Sequence, residues 1–252
     1  MAEDLRGKIA LVTGSAKRIG REIVLALARE GAGVVIHYRR SEEEADSLWN
    51  ELAHHGVSSW VVRADFEKLD EVESLVPRAI QEAGRLDILI NNASDFPVET
   101  LDNLTFDSLT RNIQINAWAP FALGRSFAQH VKRGKIVNLI DSRTADFDWS
   151  HAGYILAKHL LLVLTRMTAL QYAPNITVNG VSPGLILPPP DKDESYAERL
   201  VGTVPLKKHG GPEDVVEAVI YLLKSDFLTG TVIQVDGGRH LKEYQSGQNR
   251  YQ

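Results

Sequence analysis

The chain of 252 residues is long enough for one domain with a sizeable buried core, and its charged fraction of 24% is that of an ordinary globular protein. A formal net charge of -5 argues against a general surface for nucleic acid or anionic membrane. Cysteine is absent, which excludes disulfides, thiolate metal sites and cysteine nucleophiles. Residues 1–8 contain no apolar signal core, and no apolar run reaches the ~18 residues of a membrane span. We therefore expect a cytoplasmic protein without a nucleic-acid or membrane partner.

Short apolar runs alternate with longer amphipathic stretches along the chain. The runs predict seven strands, at 9–13, 34–38, 59–63, 88–91, 136–140, 177–181 and 232–235. The intervening stretches predict helices, such as 21–30, 42–55 and 69–83. Continuously apolar strands, each followed by a helix, indicate a parallel sheet that is covered on both faces. Because no low-complexity linker or fixed repeat divides the chain, we predict one α/β domain over 1–252.

A glycine motif lies at the first predicted strand-to-helix turn. Gly14 and Gly20 enclose a turn that also contains Arg18 and Ile19. Glycines there let backbone amides approach a pyrophosphate, and the N-terminus of the following helix favours the anion. At this position the motif predicts a dinucleotide-binding turn.

The residues that end the second predicted strand are Tyr38, Arg39, Arg40 and Ser41. In dinucleotide-binding folds this position meets the adenosine ribose, where an acidic residue takes the 2′-hydroxyl and an arginine accommodates a 2′-phosphate. Two arginines and a serine, with Arg18 in the neighbouring turn, therefore predict NADPH as the cofactor. A solvated charge cluster is the alternative, and Ser41 is also the predicted cap of the next helix.

Two further strand ends are assigned to the cofactor. Asp65 ends the third predicted strand and is expected to accept a hydrogen bond from the adenine amino group. Asn92 and Ala93 follow the fourth strand, where it opens onto the cofactor.

Prolines at 188–190 interrupt the alternation of strands and helices. Consecutive prolines cannot continue a helix or a central strand, so this segment is either a plain surface loop or a mobile lid over the site. We assign the substrate loop to about 185–205.

Tyr154 and Lys158 stand four residues apart, so one helical turn brings both to one site. An unperturbed tyrosine titrates near pH ~10, and a nearby ammonium is expected to lower that pKa toward a useful value. Asp141 precedes the tyrosine by thirteen residues and follows an apolar run, which would place a carboxyl beside the pair. Surface helices often carry such a pair by chance, so the rest of the chain has to support it.

The matching pieces together resemble the short-chain dehydrogenase/reductase family over essentially the whole chain. They are Thr13-Gly14 with Gly20, Asp65, Asn91-Asn92-Ala93, Asn116, Tyr154 with Lys158, Pro183-Gly184, and Asp236-Gly237-Gly238. The resemblance implies a Rossmann-type doubly wound sheet, hydride transfer from a nicotinamide, and a homotetramer or homodimer. It also implies cofactor contacts from Pro183 and Gly184 and a catalytic role for Asn116.

Two departures from the common family pattern narrow the resemblance. In the turn after the first strand, the family usually has glycine where this chain has Arg18. Thirteen residues before the tyrosine, the family usually has serine where this chain has Asp141. Ser142 stands one residue after that position. Both departures resemble the pteridine reductase branch, and the ending 236–241 resembles its bacterial dihydromonapterin/dihydrofolate reductases. By that resemblance a pterin site would be lined by Arg18, Ser94, Phe96, Asp141 and Tyr154. Ile186 stands where some pteridine reductases have serine.

A carboxyl beside the hydride donor suits a nitrogen heterocycle better than a ketone. A ketone oxygen becomes negative as hydride arrives, and a neighbouring carboxylate would repel it. In a pterin the hydride adds to a ring C=N carbon, the proton goes to nitrogen, and the aminopyrimidine offers N–H donors that Asp141 can bind. Phe96 would form one wall of a slot opposite the nicotinamide, with packing as its alternative role. Asn116 would hold a water that relays protons through Lys158, or be structural.

The leading hypothesis is an NADPH-dependent reductase of a small-molecule dihydropterin. A second keeps the fold and makes the substrate a keto group on an acyl or sugar compound, with Ser142 in place of Asp141. A third is a non-catalytic NADPH-binding regulatory protein. The histidines show no metal-ligand spacing, so no metal site is predicted.

Overall fold

The computed structural model describes residues 3–145, 149–188 and 193–241, and within them seven strands form one sheet. The strands are β1 (Ile9–Val12), β2 (Gly33–Tyr38), β3 (Ser59–Arg63), β4 (Ile88–Asn91), β5 (Gly134–Leu139), β6 (Ile176–Pro183) and β7 (Val232–Val235). Their order is β3-β2-β1-β4-β5-β6-β7, and every neighbouring pair is parallel. The predicted α/β fold is confirmed, because each predicted strand is present.

Eight α-helices connect and cover the strands in the described residues. They are α1 (Arg18–Arg29), α2 (Glu42–His54), α3 (Leu69–Ala83), α4 (Phe106–Ile113), α5 (Ala119–His130), α6 (Ala152–Tyr172), α7 (Glu194–Val201) and α8 (Pro212–Lys224). A π-helical turn, Gln114–Trp118, joins α4 to α5, and 3-10 turns cover Ser142–Ala145 and Arg239–Leu241.

Two apolar cores lie on opposite faces of the sheet. Side chains of β1 alternate between them, with Ala10 and Val12 in one core and Leu11 in the other, as the two-residue period of a strand requires. Helices α1, α2 and α8 cover the first face, whereas α3, α5 and part of α6 cover the second. The central strands of the sheet are therefore buried on both sides, which explains why they are mostly apolar.

Helix α6 is the longest helix and carries both Tyr154 and Lys158. By length and composition it is the one described helix that could cross a membrane. It packs against β6 and α4, and Lys158 is among its buried residues, so we interpret it as a core helix of this fold.

The strand order places the predicted site. The chain crosses from β1 outward to β2 and β3, then returns to β4 on the other side of β1, so the order reverses between β1 and β4. Ligands of open α/β sheets bind at such a reversal, outside the carboxyl ends of the strands. The residues that follow β1, β4, β5 and β6 therefore meet at one edge.

Candidate active site

The turn after β1 has no room for side chains at its two glycines. Gly14 has a φ of +61°, and a Cβ there would lie 2.8 Å from Cα of Ala93. A Cβ at Gly20 would lie 2.5 Å from the carbonyl oxygen of Gly14 and 2.6 Å from Nδ2 of Asn92. Asn92 closes the arrangement, because its Nδ2 donates to the carbonyl oxygens of Thr13 (2.9 Å) and Gly14 (3.0 Å). The two glycines therefore let the turn pack directly against the residues that follow β4.

The side chain of His37 bonds the turn after β1, a structural role that the sequence did not predict. The backbone N–H of Gly14 donates to Nδ1 of His37 at 2.9 Å, so Nε2 carries the proton and donates to the carbonyl oxygen of Ala64 at 3.1 Å. Burial lowers the pKa of His37 from 6.5 to about 4. A histidine inside an apolar strand is visible in the sequence, but its partners come from other segments.

Arg18 begins α1 with a φ of +56°, in the left-handed region. Most side chains avoid this region, which gives a physical reason for the glycine that the family usually has here. The Arg18 guanidinium reaches across the site, and its Nη2 donates to the carbonyl oxygen of Pro188 at 2.7 Å. Ile19, the next residue, packs at the edge of the first core.

The end of β2 differs in part from its prediction. Tyr38 is buried, and its hydroxyl donates to Oε1 of Glu42 at 3.1 Å. Ser41 stands at the N-cap of α2, as predicted, but its side chain makes no cap hydrogen bond. The Tyr38 hydroxyl thus bonds the carboxylate of Glu42, the first residue of α2. Within the described residues, the side chains of Ser41 and the exposed Arg40 make no hydrogen bond or ion pair.

Arg39 and Asp65 contact each other. Nε of Arg39 lies 3.6 Å from Oδ1 of Asp65, and Nη1 lies 2.9 Å from Oε1 of Glu67. Asp65 Oδ1 also accepts from the backbone N–H of Glu67 at 3.1 Å. The two residues assigned to opposite ends of the adenosine moiety are thus paired in this structure.

Asp141 and Tyr154 meet as the sequence spacing predicted. The Tyr154 hydroxyl donates to Oδ2 of Asp141 at 2.7 Å, and the backbone N–H of Arg143 donates to Oδ1 at 2.8 Å. Asp141 follows β5 and Tyr154 lies in the first turn of α6, so two neighbouring elements present the pair at the sheet edge. Ser142 is buried, and its hydroxyl has no partner among the described residues. The aspartate, not the serine, therefore contacts the phenol.

The expected effect of Lys158 on the phenol is not what the structure shows. Burial, and then the charge and hydrogen bond of Asp141, raise the pKa of Tyr154 well above its ordinary value. Nζ of Lys158 donates to the carbonyl oxygen of Leu139 at 2.8 Å and lies 5.6 Å from the centre of the tyrosine ring. Burial lowers the pKa of Lys158 to about 8. The phenol therefore keeps its proton at neutral pH beside a carboxyl group.

Asn116 is fully buried in the π-helical turn, and its side chain holds the loop after β4. Oδ1 accepts from the Ser94 hydroxyl (2.7 Å) and from the backbone N–H of Asp95 (3.0 Å), while Nδ2 donates to the carbonyl oxygen of Asp95 (3.0 Å). The Ser94 hydroxyl also interacts with the phenol of Tyr154. The π-helical turn thus positions Ser94 beside the proton-bearing group, and such turns occur often at functional sites.

Phe96 lies against Tyr154, one of the candidate catalytic residues. Its ring meets Tyr154 edge-on at 4.6 Å between centroids and stacks on His151 at 3.7 Å with an interplanar angle of 13°. The guanidinium of Arg143 lies 4.9 Å from the centre of the Phe96 ring. Neither His151 nor Arg143 was singled out from the sequence as a site residue, because stacking partners leave no local sequence signal.

Pro183 and Gly184 end β6 at the same edge. A Cβ at Gly184 would lie 2.5 Å from Cβ of Asp236, so a larger residue does not fit. Ile186 is buried in the first core. The segment 188–194, for which a surface loop and a lid are the alternatives, falls mainly on 189–192, which lie outside the described residues.

Comparison with known proteins gives matches over nearly the whole chain. The family model described as enoyl-(acyl carrier protein) reductase matches residues 14–240. Pteridine reductase 1 of Leishmania tarentolae is 36% identical, covering 92% of this chain and 96% of the relative. The 3-oxoacyl-[acyl-carrier-protein] reductase FabG of Staphylococcus epidermidis is 30% identical over 93% of this chain and 99% of its own. The crystal structure of FolM alternative dihydrofolate reductase 1 from Brucella canis, complexed with NADP, superimposes with a TM-score of 0.90 at 32% identity, covering 96% of this chain and 97% of that one.

Proposed function

Because the chain belongs to the short-chain dehydrogenase/reductase family, we propose that it reduces a dihydropterin to the tetrahydropterin with NADPH. The substrate is of the dihydromonapterin, dihydrobiopterin or dihydrofolate type. The observation that carries the proposal is the 2.7 Å hydrogen bond from the Tyr154 hydroxyl to Asp141. A carboxylate in that place opposes the negative charge that forms on a ketone oxygen, but accepts N–H groups of a pterin ring.

The residues of the sheet edge fit NADPH. Gly14 and Gly20 let the turn after β1 pack directly against Asn92 and Ala93 at the edge of the sheet, which is where a dinucleotide-binding turn lies. Arg40 and the Ser41 hydroxyl are available for the 2′-phosphate. The similarity to a reductase crystallised with NADP supports the same choice. We assign the remaining cofactor contacts to Arg18, Ile19, Tyr38, Arg39, Asp65, Asn92, Ala93, Tyr154, Lys158, Pro183 and Gly184.

When bound, NADPH supplies the hydride, and this chain supplies the proton. Tyr154 carries its proton at neutral pH and can donate it to the ring nitrogen that loses its double bond. Burial and Asp141 raise its pKa and make it a weaker acid, so the transfer depends on the basicity that hydride addition gives that nitrogen. Asp141 orients the substrate by accepting N–H donors of the ring. Lys158, with a pKa of about 8, can release and regain a proton near neutral pH, so we assign it the resupply of Tyr154.

The substrate contacts follow from the same geometry. Phe96 lies edge-on to the phenol, and its ring already contacts His151 and the Arg143 guanidinium. A flat heterocycle that packs between Phe96 and a nicotinamide therefore has to displace one of these two side chains. The Ser94 hydroxyl, held by Asn116, can bond the polar edge of the ring. Arg18 extends from the phosphate turn toward the segment at Pro188, so its guanidinium can meet phosphate and substrate oxygens together.

The test is an absorbance assay of NADPH consumption across a panel of substrates. We expect oxidation of NADPH with dihydromonapterin, dihydrobiopterin or dihydrofolate, little with simple ketones, and a much slower reaction with NADH. Turnover of ketones but not of dihydropterins would overturn the proposed substrate class. An absence of turnover with every substrate would favour a non-catalytic NADPH-binding protein.

A keto-group reductase is the second candidate, because the chain is also 30% identical to a 3-oxoacyl-[acyl-carrier-protein] reductase. The same panel discriminates between the two candidates when it includes a 3-oxoacyl thioester. A cytoplasmic location, an oligomer and a substrate loop at 185–205 are further parts of the proposal.

A further inference from the structure

Five charged side chains of alternating sign run along the carboxyl edge of the sheet. The order is Asp65, Arg39, Glu67, Arg111 and Asp95, and we call this set the ionic chain. Its links are 3.6 Å from Asp65 to Arg39, 2.9 Å from Arg39 to Glu67, 3.0 Å from Glu67 to Arg111, and 3.2 Å from Arg111 to Asp95. The chain thus joins the end of β2 to the loop after β4.

Glu67 is the centre of this set, because one of its oxygens serves both arginines. Oε1 of Glu67 lies 2.9 Å from Nη1 of Arg39 and 3.0 Å from Nη2 of Arg111. The side chains of Arg39 and Glu67 are 26% and 36% exposed, so their attraction is only partly screened by solvent. The hydrogen bond to Glu67 is also the main reason why the pKa of Arg111 is raised.

The charge balance of the ionic chain works against an incoming anion. Three carboxylates face two guanidinium groups, and Arg39 already contacts two of the carboxylates. A phosphate monoester carries close to ~2 negative charges at neutral pH and competes for the same guanidinium hydrogens. Glu67 therefore has to give up part of its contact with Arg39 when a 2′-phosphate arrives.

We propose that Glu67 is a coenzyme-specificity residue, which competes with the 2′-phosphate of NADPH for Arg39 and is held back from that competition by Arg111. The inference rests on the proposed cofactor and adds a residue with an opposing effect. Glu67 is expected to weaken the binding of NADPH by holding Arg39. Arg111 is expected to restore part of that affinity by holding Glu67, without contacting the cofactor.

The experiment titrates NADP+ and NAD+ into the full-length protein at low salt by calorimetry. In Glu67→Gln, NADP+ is expected to bind roughly three-fold tighter, while NAD+ binds as before. In Arg111→Gln, Glu67 loses its second partner and holds Arg39 more fully, so NADP+ is expected to bind about two-fold weaker, again with NAD+ unchanged. Both effects should shrink at about 0.5 M salt.

Glu73→Gln is the matched control, because Glu73 is exposed on α3 and its removal changes the net charge equally without an ion pair to Arg39 or Arg111. Unchanged or weaker NADP+ binding in Glu67→Gln would overturn the inference. So would an Arg111→Gln variant whose NADP+ affinity fails to move in the opposite direction, or a Glu73→Gln variant that reproduces Glu67→Gln.

Failure of the cofactor proposal has a separate signature. Equal binding of NAD+ and NADP+ by the unaltered protein would remove the cofactor proposal and this inference together. A tenfold or greater preference for NADP+ that Glu67→Gln leaves unchanged would remove the inference alone.

Discussion

Asp141 and Tyr154 form the contact on which the proposed chemistry depends. Their hydrogen bond keeps the phenol protonated, because both burial and the aspartate raise the tyrosine pKa. The sequence alone suggested a phenol whose pKa is lowered by Lys158, whereas burial and Asp141 stabilise the neutral phenol and make it a weaker acid. In the proposed reaction Tyr154 therefore donates its proton only as the substrate nitrogen becomes basic.

Replacing Asp141 by serine should separate turnover from cofactor binding. We expect kcat/KM with a dihydropterin to fall by about 100-fold or more, because substrate orientation and proton transfer are both affected. The Kd for NADP+ should stay within about two-fold, since Asp141 contacts Tyr154 and not the phosphate turn. Steady-state kinetics and NADP+ titration of the same preparation measure the two quantities.

Ser142→Ala is the neighbouring control. The Ser142 hydroxyl is buried without a partner in the described residues, so its removal should leave kcat unchanged. Equal losses of turnover and NADP+ affinity in Asp141→Ser would contradict the assigned role of the aspartate.

His37 predicts a dependence of stability on pH. Its pKa in the fold is lowered to about 4, so between pH ~6.5 and ~4 the unfolded chain binds more protons than the folded one. The stabilisation is complete above the unfolded pKa and is lost as the pH falls through this window. The full loss corresponds to roughly 3 kcal/mol.

Urea unfolding at a series of pH values measures this contribution. We expect the free energy of unfolding to fall less steeply between pH ~6.5 and ~4 in His37→Gln than in the unaltered protein. The comparison isolates His37 from the carboxylates, which titrate in both proteins. Identical slopes would show that His37 does not stay neutral in the fold.

Helix α1 begins at Arg18, whose backbone is strained and which stands where the family usually has glycine. Arg18 has a φ of +56°, and a side chain in the left-handed region costs about 1 kcal/mol or more. Arg18→Gly is expected to leave the free energy of unfolding unchanged or to raise it by up to ~1 kcal/mol. NADPH-dependent turnover should fall at least ~10-fold, because the guanidinium is lost.

Lys207 provides the matched control for this element, because it is the other described residue besides glycine with a positive φ, +54°. Lys207→Gly should change stability by a similar amount and leave turnover intact. Thermal unfolding measures the change in stability, and the NADPH assay measures the change in turnover. Full activity in Arg18→Gly would remove Arg18 from the proposed site.

At the scale of the whole molecule, α6 presents an apolar stripe to solvent. Its members follow each other at intervals of four and three residues, which places them on one helix face: Leu156, Leu160, Val163, Met167 and Leu170. A contiguous exposed apolar patch marks an interaction surface more often than an isolated exposed residue does. The stripe supports the proposed homodimer or homotetramer.

Light scattering after size-exclusion chromatography tests this proposal. A double variant, Val163→Glu and Met167→Glu, is expected to give a smaller species than the unaltered protein, because four charges or more would be buried between copies of α6. Leu69→Glu is the control, since Leu69 is 50% exposed at the start of α3, away from the stripe. Unaltered assembly in the double variant would assign the oligomer contact to another surface.

The sequence by itself determined the fold class and the approximate bounds of the seven strands, and it supplied the candidate site residues. Continuous apolar runs separated by amphipathic helices predict a parallel sheet, and the seven strands confirm it with ends displaced by at most two residues. The pattern succeeds because apolar periodicity is local, so each segment carries its own signal. Asp141 and Tyr154 are thirteen residues apart, and they meet because β5 and α6 present the residues near their ends at the same edge of the sheet.

The tertiary structure alone decided which groups contact each other and what charge they carry. Lys158 bonds the carbonyl oxygen of Leu139 instead of the phenol, Arg39 contacts both Asp65 and Glu67, and His37 accepts a hydrogen bond from the turn after β1. These partners lie up to tens of residues apart in the chain, and no periodicity connects them. Burial and through-space distance set each pKa, and both quantities exist only once the segments have packed together.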